Sequence, residues 1–490
     1  MAKKRVTLRK KHTIITSAKQ KPRMKKIFFA LLALIIVTVG LAGASIFLNK
    51  TDLWTSILSL TQEEPEENKV KTSENYESYL AKGDLLFENG YYTLAINEYA
   101  SAAQEKPEAA EPYNLIGNTY LELRNYEKSL SNFQISLEKS SENINAVIGM
   151  AKSYFHLSQF DTARNFLDSS NLAENPEVKY YLAMLYAYEG EYDRSKETFT
   201  KVTEETDITS ELAANSQKFL DSYTTYDAQL GGQESHLRTL IAEACTKVSQ
   251  DELAITILYQ VLSQTPTYRD AWILLGYAYL NLEKYEDSAS AFEEAIELDT
   301  TKPETNYFLA LAYLGQDRYE EAITYLELAL VYGFEPQVQV YQKLAETYFL
   351  IPDYELATRN YEKVLDLNDT DVNYFVRPIW LNMEKLGNID KALELAKWAL
   401  SSHPDEAMSY NLMGWAMISA QDYEEARTYL EDALSMDDDL AAAYLNLGTI
   451  DEIEGDLESA KENYKQAYTL DQNDSVGALA AEKYNNLLNQ

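Results

Sequence analysis

Between Asp270 and Pro303 the chain reads DAWILLGYAYLNLEKYEDSASAFEEAIELDTTKP, with Trp272, Leu275, Gly276 and Tyr279 at the spacing W-x2-L-G-x2-Y and Ser288 and Phe292 following four apart. Apolar residues recur every three and four positions in both halves, so the stretch is predicted to form two amphipathic helices joined by a short turn. Gly276 lacks a side chain and lets the second helix approach the first closely. Tyr279 and Phe292 are large enough to fill the space between helices and toward a neighbouring unit. One helix pair cannot bury its apolar face alone, so neighbours are required.

The sequence supplies them. A small residue in each first helix is followed twelve positions later by one in the second: Gly83/Ala95, Gly117/Ser129, Ala151/Ala163 and Ala183/Ser195. After a break come Ala242/Ala254, Gly276/Ser288, Ala310/Ala322, Ala345/Ala357, Trp380/Ala392, Gly414/Ala426 and Gly448/Ala460. Pro107, Pro266 and Pro404 follow second helices. This register resembles the tetratricopeptide repeat, a helix–turn–helix unit of about 34 residues. The resemblance implies an all-α superhelical solenoid of about eleven repeats, with first helices lining a concave groove and second helices forming the convex back.

Three departures are expected to leave a mark. Residues 210–234 break the register; SELAANSQKFLDSYTTYD reads as an unpaired helix and Gly231-Gly232 as a joint. The repeats therefore divide into a block of four, residues 76–209, and a block of seven, residues 235–474; residues 76–226 and 235–490 are each expected to be continuously packed, with a hinge at 227–236. The ninth repeat has Trp380 at a position for a small residue and Pro378 in its first helix, which should shift or bend that helix. The last stretch, 475–490, reads as a helix capping the final repeat.

The N-terminal part is different in kind. Residues 1–26 hold eleven Lys/Arg and no acid, while the rest of the chain carries 32 basic against 78 acidic residues. Residues 27–48, IFFALLALIIVTVGLAGASIFL, are uncharged. As a helix they span roughly 33 Å, against a hydrocarbon core of about 30 Å. The basic flank places the tail in the cytoplasm and the repeats outside, as a single-pass cell-membrane protein. A cleaved signal peptide is the rival reading, since Ala42-Gly43-Ala44 mimics a processing site. Residues 49–75 read as an acidic linker.

Composition argues against several chemistries. There is one cysteine, Cys245, and four scattered histidines, so no disulfide framework or metal-ligand spacing is present. No phosphate-binding glycine loop, G-x-S-x-G elbow, H-E-x-x-H or C-x-x-C occurs. Asp366 to Asp371 is half of a calcium loop, but its twelfth position is Arg377. No cofactor and no enzymatic activity is expected. The acidic repeats should repel nucleic acid.

Recognition remains. The family resemblance implies a peptide or protein ligand in the groove, and a scaffold or adaptor role. The groove residues singled out are Tyr277, Tyr307, Leu311, Phe349, Arg377 and Trp415, an aromatic and apolar series with one guanidinium suited to a carboxylate. Leu280 and Leu314 lie beside them and suit the core equally well. No repeat offers the Lys–Asn pair with which some members of the family clamp a C-terminal carboxylate.

Overall fold

The computed structural model describes residues 75–229, 232–472 and 475–488, and among them every regular element is helical. The tail, the 27–48 span, nearly all of the linker and Gly231 lie outside the described residues. Eleven helix pairs follow the sequence register. They are α1 (Tyr76–Glu88) with α2 (Tyr92–Glu105), α3 (Glu111–Glu122) with α4 (Tyr126–Lys139), α5 (Ile144–His156) with α6 (Phe160–Asp168), and α7 (Pro176–Glu189) with α8 (Tyr192–Glu204). Helix α9 (Ser210–Asp227) stands alone. Then come α10 (Glu234–Lys247) with α11 (Asp251–Gln264), α12 (Arg269–Asn281) with α13 (Tyr285–Leu298), α14 (Pro303–Leu314) with α15 (Tyr319–Val331), and α16 (Gln337–Leu350) with α17 (Tyr354–Leu367). The last three pairs are α18 (Val376–Trp380) with α19 (Ile389–Ser402), α20 (Ala407–Ser419) with α21 (Tyr423–Met436), and α22 (Ala441–Glu454) with α23 (Leu457–Leu470). Helix α24 (Ser475–Leu488) ends the array, laying Ala480 and Leu487 on the cluster around Tyr464.

The small residues do what their positions demand. A Cβ added to Gly276 would sit 2.9 Å from the Phe292 ring, so only glycine lets that ring lie across the first helix. Where the second helix uses serine, the buried hydroxyl finds a partner one helix away. Ser129, Ser195 and Ser288 donate to the carbonyls of Gly117, Ala183 and Gly276 at 2.9, 2.7 and 2.8 Å, which removes the cost of burying a polar group. Asn75, Asp353 and Asp422 cap α1, α17 and α21 by accepting a backbone N–H in the first turn. Successive first helices pack on one another more closely than successive second helices do, so the first helices lie on the inside of the curve.

The insertion does not separate two cores. Helix α9 stacks Phe219 on Phe199 of α8 at 4.5 Å between ring centres, and Ser222 donates to the Leu240 carbonyl of α10. One apolar cluster runs from Val147 through Phe219 and Tyr223 to Ala291. Apolar packing therefore continues past the stretch expected to be a hinge, because α9 is amphipathic enough to be buried on both sides. The array also touches itself beyond nearest neighbours. His156 at the end of α5 meets Glu252 at the start of α11 at 2.9 Å, Tyr126 stacks on His156 at 4.6 Å, and Arg124 lies 3.8 Å from Glu283.

The ninth repeat is distorted as its proline foretold, with one correction. A short 3-10 turn, Val372–Phe375, leads into α18, and a π-turn, Leu381–Lys385, leaves it. In other repeats the bond closing the turn spans five residues, as from Lys284 N–H to the Tyr279 carbonyl; here it spans six, from Asn388 to Asn382. One extra residue is thus accommodated. Ile379 is fully buried beside the position counted for a small side chain, and Trp380 itself is only half-buried. A π-turn is a usual way to absorb a single insertion.

Candidate partner-binding groove

The inner face is poor in charge where the outer face is rich. Helix α20, AMSYNLMGWAMIS, has no charged residue, and α14 has only Glu304, whereas α13 and α21 each carry four or more acids. The acidity of the chain is therefore concentrated on second helices and turns, where solvation is cheap.

The six sequence-predicted residues fall into two groups. In the first, Tyr277 is 37% exposed and meets the edge of Phe308 at 5.5 Å. Tyr307 is 8% exposed, stacked on Phe334 at 4.3 Å, and burial pushes its phenol up from the ordinary value. Its ring belongs to the packing between repeats, not to open groove surface. Leu311, like Leu280 and Leu314, is half-buried against the same cluster. Phe308, not anticipated from sequence, is the ring that links Tyr277, Tyr307 and Phe292.

The second group is brought together. Arg377 is exposed, with its guanidinium 5.3 Å from the centre of the Phe349 ring and 5.9 Å from that of Trp380. Phe349 and Trp380 lie 6.0 Å apart. Arg377, Trp380 and Trp415 line a cleft of about 480 Å³, together with Asn373, Val376 and Ser475. Trp380 was missed as a groove residue because the extra residue in the π-turn is invisible to a fixed 34-residue count. The signal available was Pro378, which marked where the count was unsafe.

Two sequence features suggestive of reactive or metal-binding chemistry have structural roles. Cys245 is fully buried and burial pushes its thiol up, away from nucleophilic thiolate character. The Asp366–Asp371 segment is a turn: Asp369 accepts from Ser402 and from the Trp398 indole, and Asp371 accepts from the Asn373 N–H. Among the described residues no group of three or more His, Cys, Asp or Glu is placed to hold a metal ion. Among them, too, no helix is long and apolar enough to cross a membrane.

Comparison with known proteins agrees with the geometry. Family models described as tetratricopeptide repeat match residues 80–144, 273–337, 384–439 and 441–474. Human protein O-mannosyl-transferase TMTC1 is 28% identical over 38% of this chain and 22% of its own length. A peroxisomal targeting signal receptor of Komagataella phaffii is 26% identical over 38% of this chain and 33% of its own. The Drosophila melanogaster homolog of BBSome complex member BBS4 is 20% identical over 73% of this chain and 64% of its own. The chain thus spans between a fifth and two thirds of the length of these relatives. With helix pairs, register and family models in agreement, the chain carries tetratricopeptide repeats along its all-α solenoid.

Proposed function

We propose that this protein is a membrane-anchored scaffold, not an enzyme, which holds a peptide or protein partner on the inner face of its repeats outside the cytoplasm. The observation that carries the binding role is the half-buried aromatic set of Phe349, Trp380 and Trp415 around the exposed Arg377, with Tyr277 exposed separately on α12, on helices otherwise short of charge. Rings of this kind give large contact area at low entropic cost, and they dominate binding energy where they are exposed before and covered after association. The relatives support the role in part: one is named a targeting signal receptor and another a member of a protein complex. The anchoring rests on sequence: 22 uncharged residues directly after eleven cations.

Two measurements test it. Protease added to intact cells or spheroplasts should digest the repeats and spare the basic tail; protected repeats would overturn the topology. A mature chain about 50 residues shorter on a gel would favour the alternative, a cleaved secreted or periplasmic binding protein. For the groove, Tyr277→Ala should lower partner recovery with little change in melting temperature, while Tyr307→Ala should cost about 3–5 kcal/mol as a buried aromatic does. Equal destabilisation by both would place Tyr277 in the core and remove it from the site.

A further inference from the structure

The cleft beside Trp380 holds a cation that rests on aromatic rings and not on a carboxylate. Arg377 and Lys385 both lie within 6 Å of the Trp380 ring centre, at 5.9 and 5.2 Å, and among the described residues neither has a carboxylate within ion-pair distance. That is unexpected on composition, because the chain holds 78 acids for 43 bases. Cations nearby do pair: Lys343 with Glu346, Lys363 with Asp366, and Lys391 with Glu362 and Glu394. Arg377 instead rests on the faces of Phe349 and Trp380, which fixes its guanidinium without using up its hydrogen-bond donors. Its five N–H groups remain free to bind a carboxylate in a fork.

Resting on the groove-binding role proposed above, we propose that this cleft recognises an acidic linear segment of a partner protein. The segment places an Asp or Glu carboxylate on Arg377 and an adjacent apolar side chain between the indoles of Trp380 and Trp415. The volume of about 480 Å³ suits one large side chain and its backbone. Charge complementarity selects an acidic occupant over a basic one, since a basic segment would meet Arg377 here, with no carboxylate among the lining residues. The net negative charge of the chain does not oppose this, because at physiological salt it is screened beyond about 8 Å. Lys385 adds attraction without geometry, and the extra residue in the π-turn is what brings Trp380 to the cleft wall.

The test uses the full chain in detergent micelles, probed with an array of N-acetylated, C-amidated nonapeptides that vary in sequence and carry no terminal charge. Bound sequences should be enriched in Asp or Glu within two residues of Leu, Phe, Tyr or Trp. Arg377→Glu, an exposed substitution that should leave the melting temperature unchanged, should weaken the acidic peptides at least tenfold and shift selection toward Lys or Arg. Arg377→Lys should retain part of the preference, as a point charge without the fork. Binding without an acidic preference, or unaltered selection by Arg377→Glu, overturns the cleft assignment while leaving a groove-binding role standing. An array with no bound peptide overturns both for linear segments.

Discussion

Asp251 shows how one side chain reports on the packing around it. It opens α11 at 5% exposure, accepts a hydrogen bond from Asn281 Nδ2 at 3.0 Å, and burial pushes its carboxyl up to about 6 despite that bond, with Glu252 adding to the effect. Between the ordinary carboxylate value near 4 and about 6, the folded chain keeps a proton that the unfolded chain has lost. Stability contributed by this group therefore falls as pH rises through that window. Asn at the same place keeps the contact with Asn281 and has no proton to lose. Asp251→Asn is expected to match the parent near pH 4 and to be more stable by about 1–2 kcal/mol at pH 7, after allowance for residual solvent screening. Thermal midpoints of both proteins across pH 4 to 7.5 check this; parallel curves would show that Asp251 is ionised at little cost.

At the level of elements, the turn inside each repeat is the part built most uniformly. The first helix ends with a left-handed residue and a backbone bond reaching five residues back, as from Asp456 to Asp451 or from Asp422 to Met417. Gly455 supplies that residue in the last repeat, with φ of 86°. Gln421 fills the same place in the tenth at φ of 63°, where a side chain is disfavoured by about 1 kcal/mol. Gln421→Gly should raise stability by about 0.5–1 kcal/mol, and Gly455→Ala should lower it by about 1 kcal/mol, both read from denaturant midpoints. An unchanged midpoint for Gly455→Ala would mean that the turn relaxes at no cost. Much of this architecture was legible in the sequence, because twelve-residue spacings such as Gly276/Ser288 encode the packing of each pair directly. The ninth repeat was not, since one added residue leaves every neighbouring spacing within the ordinary range while rotating Trp380 from core to cleft. Tyr307 was placed in the groove because a groove position and an inter-repeat position differ only by curvature in the count, and the ring that covers it, Phe334, lies outside the counted helices.

At the scale of the whole array, α9 is the element that departs furthest from simple repetition. Its residues Phe219 and Tyr223 join the core that continues to Ala291, so the break in register is not a break in packing. Sequence separation hid this, because an unpaired helix beside two glycines reads as a joint until its second buried face is seen. The same region brings turns of the second and third repeats against those of the fifth and sixth, through His156 with Glu252 and Arg124 with Glu283. A solenoid held only by nearest neighbours extends under load like a spring, each repeat yielding a little. Here the coils between α3 and α13 are tied across a gap, so tension applied along the chain would first stretch the repeats from α14 onward. In mechanical terms the part of the array up to α13 is a stiff strut, and the repeats from α14 onward are its compliant end.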